Sequence, residues 1–224
     1  MLNFPADDTQ DTGDGSRNFF SNDPVIDTSE FIEQYTDSNR KRIEFSWNGK
    51  HAGEFVDANQ EFRWAVVSQC VANPDQVPLS LLEHLFLADS EWAVQAWGTP
   101  HHFSQLGSIL LERGGEASLE SFSRGYSASF DTFGACHEIQ LPPTLLASLA
   151  SSARDMLSRA VDEKQKTRLE GVLELFEKIG NSTASAGWSI IAPGAPVSNI
   201  RIVWPRWYHK ILRWLSSKLH QASN

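Results

Sequence analysis

The stretch PTLLASLASSARDMLSRAVDEKQKTRLEGVLELFEKIG, residues 143–180, decides the fold class. Leu145, Leu146, Leu149, Ala153, Met156, Leu157 and Ala160 recur at three- and four-residue intervals after Pro143. That spacing places them along one face of a helix. Beyond Asp162 the apolar positions shift phase to Leu169, Val172, Leu173 and Phe176, and Asp162 with Gln165 is placed to cap a second helix. A phase shift with a cap predicts two antiparallel helices, which Gly180 closes.

Working towards the N-terminus, the same period returns. Phe62, Val66, Val67, Cys70 and Val71 predict a helix entered through an Asp57/Gln60 capping pair and ended by Pro74. Pro78 opens PLSLLEHLFL as a first-turn proline, and Ser90 is placed to cap a separate short helix, EWAVQAW, that stops at Gly98. Further helices are expected after Thr99-Pro100, up to Gly114-Gly115, and over EASLESFSRGY. SASFDTFGACHEIQLPP has no clear period and reads as an irregular connection. Ile43, Phe45 and Trp47 alternate ahead of Asn48-Gly49, a dipeptide favoured in tight hairpin turns. The expected fold is mainly α, a multi-helix globular domain with a small β-hairpin or sheet from residues 42–56 and 188–204. An α+β arrangement is the alternative.

The chain divides by composition. Residues 1–27 hold six Asp against Arg17 alone and read as a disordered acidic tail. A mainly helical domain follows over 28–180, then a Gly/Ala/Pro/Ser-rich connection with a short extended run over 181–204. Residues 205–224 read as a basic amphipathic C-terminal helix. The opening residues carry no basic-then-apolar pattern of a secretory signal, and no run approaches the roughly 18 apolar residues of a membrane span. Cytoplasm is the expected address, with Cys70 and Cys136 as reduced thiols.

Charge separates the chain more sharply. Residues 1–180 hold 14 Lys and Arg against 28 Asp and Glu, whereas residues 181–224 hold five cations and no carboxylate. The overall charge of −9 argues against non-specific nucleic-acid binding, which requires neutralisation of phosphates. On a helical wheel Trp207, Tyr208, Ile211, Leu212, Trp214, Leu215 and Leu219 fill an arc of about 160°. Arg206, His209, Lys210, Arg213 and His220 lie opposite, and Lys218 alone intrudes. Binding is therefore assigned to Arg206, Trp207, Lys210, Ile211, Arg213, Trp214 and Leu215. Three placements suit such a face: the chain's own domain, the groove of a protein partner, or an anionic membrane surface.

Catalytic signals are weak. Asp131, Cys136 and His137 form the best trio, in the segment read as irregular, but neighbours in sequence usually point apart. His101-His102 and Cys136-His137 lack the gaps with which paired ligands chelate zinc, so no metal and no cofactor is expected. The Asp11–Gly13 DTG triplet lies in a polar tail without the hydrophobic strand that aspartic-protease chemistry needs, and no phosphate-binding glycine loop occurs. The expected role is a non-catalytic protein-interaction module: an adaptor, accessory subunit or inhibitor/immunity-type protein. A peripheral membrane-surface protein acting through residues 205–220 and a small enzyme using the Cys136/His137 loop are the alternatives. Composition does not fix the oligomeric state.

Overall fold

The computed structural model describes residues 28–185, with side chains through Asn181. The acidic segment 1–27, the extended run within 188–204 and the amphipathic segment 205–224 lie outside these residues. The described chain is mainly helical, with eight α-helices and no strand. They are α1 (Ser29–Glu33), α2 (Gln60–Ala72), α3 (Leu79–Ala96), α4 (Phe103–Gly114), α5 (Leu119–Tyr126), α6 (Phe130–Cys136), α7 (Pro143–Arg159) and α8 (Glu163–Ser185).

α7 and α8 form the antiparallel pair that the phase shift predicts. Asp162 Oδ2 accepts the Gln165 backbone N–H at 3.0 Å, capping the second helix where the sequence places a cap. Leu146, Leu149, Ala150 and Ala153 of α7 bury towards Leu169, Val172, Leu175 and Phe176 of α8. α8 continues past Gly180 to Ser185, since a glycine in a helix interior costs only about 1 kcal/mol relative to alanine and does not by itself end the helix.

α3 supplies the centre of the core, with Leu81, Leu82, Leu85 and Phe86 fully buried. Phe86 stacks on Phe103 of α4 at 4.6 Å and on Phe122 of α5 at 5.5 Å between centroids. Phe122 in turn lies 6.2 Å from Phe176 of α8. One column of rings thus ties four helices together. Its fit depends on glycine: a Cβ at Gly125 would fall inside contact distance of the Phe86 ring, and one at Gly107 would sit 3.0 Å from Ile139 and 3.2 Å from Phe86.

Three local expectations are corrected. Ser90 does not start a new helix. α3 runs unbroken from Leu79 to Ala96, and the Ser90 hydroxyl donates to the Leu87 carbonyl at 2.7 Å instead of capping. The segment read as irregular contains α6, whose Ser129 and Thr132 exchange side chain-to-backbone bonds in a capping box. The hairpin is reduced to one antiparallel bridge between Trp47 and Asp57. Asn48 explains why. Its amide donates to the Glu54 carbonyl at 2.7 Å and accepts from the backbone of Lys50 and Val56 at 3.1 and 3.3 Å. These bonds close a loop, with a 3₁₀ turn at Ala52–Glu54, where a hairpin would form a ladder.

Candidate interaction site

The loop after the bridge is fastened to α2 and α3 by buried charge. Arg63 is wholly buried on the inner face of α2, in register with Val66, Val67 and Cys70. Its Nη2 donates to Asp57 Oδ2 at 2.7 Å and its Nε to Asp89 Oδ1 at 2.8 Å. Both carboxylates are also fully buried at the side chain. Asp57 Oδ1 accepts the backbone N–H of Ser46 and Asn59 at 3.0 and 3.1 Å, so one carboxylate fixes both ends of the loop. The expected pairing of Asp57 with Gln60 is thus replaced: Asp57 serves an ion pair, and α2 starts without a side-chain cap bond. Asp89 completes its shell with Trp64 Nε1–H at 3.2 Å and His102 Nε2 at 2.7 Å.

This network orients a row of rings. Trp64, held by Asp89, meets Trp92 edge-on at 5.4 Å and His102 at 5.7 Å. Trp92 donates its indole N–H to Gln60 Oε1 at 2.9 Å and meets Phe55 edge-on at 6.0 Å. Phe55 lies 6.3 Å from Phe45 in a stacked pair. Both indole N–H groups are thus satisfied inside the protein, leaving apolar ring surface to face outward.

Phe55 and Trp92 form part of the wall of a cavity of about 570 Å³, completed by His51, Ala52, Gln95, Ala96 and Trp97. Trp97 ends α3 in the left-handed region, at φ 59° and ψ 47°, and Ala52 has φ 56°. These are the two positive-φ residues other than glycine in the described chain, and both line this cavity. A left-handed backbone costs an ordinary residue roughly 1–2 kcal/mol. Such strain concentrates at functional positions. Trp97 is also 85% exposed. A large ring is held there at a backbone cost without burial to offset it. Val56 and Val94, from the same two segments, are exposed as well.

The surrounding sequence is acidic. From Glu44 to Glu112 there are nine carboxylates and two cations, Lys50 and Arg63. Arg63 is consumed between Asp57 and Asp89, and Lys50 pairs with Glu54 at 2.6 Å on the surface. Glu54 and Glu91, the residues preceding Phe55 and Trp92, are exposed.

The other candidates are placed as follows. Cys136 is fully buried at the end of α6, and burial raises its thiol pKa well above the ordinary range. His137 Nδ1 donates to the Phe133 carbonyl at 2.8 Å, and burial lowers its pKa. Asp131 is half-buried at the start of α6. The structure places Asp131 at the start of this short helix and Cys136 and His137 at its far end, and shows no hydrogen bond linking the thiol to the imidazole. Arg206, Trp207, Lys210, Ile211, Arg213, Trp214 and Leu215 lie outside the described residues. Among the described residues no group of three His, Cys, Asp or Glu side chains is placed to hold a metal, and no helix is long and apolar enough to cross a membrane.

Sequence reasoning missed Arg63, Asp89 and the cavity. A signal existed for the ion pair: Arg63 and Asp89 both fall on apolar helical faces, where an unpaired charge would be untenable. Comparison with protein-family models, with curated proteins and with solved structures gives no match.

Proposed function

We propose that this is a non-catalytic protein-interaction module that receives a basic, aromatic segment of a partner in the Phe55–Trp92–Trp97 cavity. The observation that carries this reading is Trp97, a strained and exposed anchor on the rim of an aromatic cavity. Tryptophan is among the side chains that most often dominate binding energy at protein interfaces. The acidic sequence around it favours a cationic partner and rejects an acidic one. Within the cavity the polar side chains are His51 and Gln95, which supply no nucleophile with its base. An adaptor, accessory subunit or inhibitor-type protein fits this chemistry.

The test is quantitative affinity purification of the full chain from its native cells beside two variants, Trp97→Ala and Glu54→Lys/Glu91→Lys. Both variants should retain the helical circular dichroism of the wild type and lose the same partner. Undiminished capture by both, with folding intact, would remove the cavity from the account.

A further inference from the structure

We propose that in the isolated chain the cavity is occupied by the protein's own segment Trp204–Leu215; this rests on the reading of the cavity as an interaction site. The segment has the chemistry the cavity selects. It carries Trp204, Trp207 and Trp214 among Arg206, Lys210 and Arg213, within a region from residue 181 onward that has no carboxylate. The cavity offers three large aromatic rings within an acidic stretch of sequence. Arginine and lysine are attracted to aromatic faces and to the exposed Glu91, Glu54 being already paired with Lys50.

Geometry permits the contact. Twenty-two residues separate Asn181 from Trp204, and a chain of that length spans at most about 70–80 Å. A domain of this size has a radius of gyration of about 15 Å. Every face is within reach.

A nearer groove exists and its chemistry fits less well. Pro143, Leu146, Ala147, Ala150, Phe176 and Gly180 line a cavity of about 430 Å³ between α7 and α8. The acidic residue there is Glu177, which lies 3.6 Å from Arg154. Residues 143–181 hold six carboxylates and six cations, so nothing in that hairpin selects a basic segment. Charge assigns the segment to the Trp97 cavity, and a partner of the same chemistry must then displace it before binding.

Photo-crosslinking of the full chain tests this, with benzoylphenylalanine in place of Gln95, which lines the cavity without being one of its three rings. Cross-links into residues 204–215 are expected in the monomer band, at a yield independent of protein concentration. Trp204→Ser/Trp207→Ser/Trp214→Ser should lower that yield by about tenfold or more, as loss of aromatic anchors does. Cross-links confined to residues 28–185 would overturn the proposal. So would cross-links to 204–215 found only in a dimer band that grows with concentration, which would assign the occupant to a second copy. Hydrogen exchange gives a second readout without the unnatural residue: peptides covering 51–56 and 91–97 should exchange faster in the triple variant than in the wild type, and equal rates would refute occupancy. If cross-linking fails while Trp97→Ala still loses its partner, the self-docking inference falls alone and the cavity reading stands.

Discussion

Replacing Arg63 by methionine should be among the most damaging single changes in this protein, and the structure sets the size of the effect. The substitution keeps most of the side-chain volume and removes the cation between two carboxylates that are themselves fully buried. Breaking a buried pair by removing one partner costs about 3–5 kcal/mol, because it strands charge away from water. Against a total stability of about 5–15 kcal/mol this is roughly a fifth or more. At about 3 °C per kcal/mol for a domain of this length, the midpoint should fall by roughly 9–15 °C. Thermal and urea unfolding followed by circular dichroism measure it. Asp57→Asn and Asp89→Asn added to Arg63→Met should restore part of the loss by removing the stranded charge. Lys50→Ala, which breaks an exposed pair, should cost no more than about 1 kcal/mol. A loss below about 1 kcal/mol for Arg63→Met would show that water reaches the network and that it does not brace the cavity wall.

Gly125→Ala should destabilise by about 1–3 kcal/mol in chemical unfolding, despite alanine's better helix propensity, because Phe86 is held between Phe103 and Phe122 and cannot move aside. Acidification should weaken the fold through His84 and His137, whose pKa values lie below the ordinary histidine value, chiefly through burial. Tyr35, whose pKa burial pushes up to about 12, keeps its proton and shares a 2.6 Å hydrogen bond with His84 Nδ1, so a charged imidazole there adds a partly buried cation with no carboxylate in the bond. A lowered folded-state pKa makes this contribution complete above about pH 6.5 and progressively lost as pH falls through the folded values; His84→Gln with His137→Gln should flatten the decline in thermal midpoint. Both thiols should resist alkylation in the native protein and react on unfolding, because Cys70 is buried with its pKa pushed up to about 12 and Cys136 is buried with its pKa raised further; rapid labelling of native Cys136 would contradict its placement.

The helices were legible because their signals are local. The α7–α8 pair is written in two apolar phases and an Asp162 cap, and each can be read without knowing what packs against it. The boundaries that failed depend on partners close in space. Ser90 offers a cap in sequence, but its helix continues because Leu85, Phe86, Ala88 and Ala93 bury a continuous face. The hairpin failed because the Asn48 amide satisfies backbone groups that strands would have paired. The candidate site was the least legible part. Phe55, Trp92 and Trp97 show no common period, and the Arg63–Asp57–Asp89 network, joining residues up to 32 positions apart, ties their segments together with the Trp92–Gln60 bond. Asp57 and Asp89 mark this distance in the sequence. Left-handed backbone at Ala52 and Trp97 likewise has no sequence signature, since neither residue favours it.

The central claim is that Trp97 is retained for binding at a cost to the fold, and Trp97→Gly separates the two most directly. Glycine adopts φ 59° without strain, and removing a ring that is 85% exposed forfeits little packing. The variant should be about as stable as the wild type or more so, by up to about 1 kcal/mol after glycine's larger unfolded-state entropy is counted. Its partner enrichment, measured beside the wild type in the same purification, should be lost. A variant that unfolds at least as late as the wild type and still captures the partner at full yield would contradict the account.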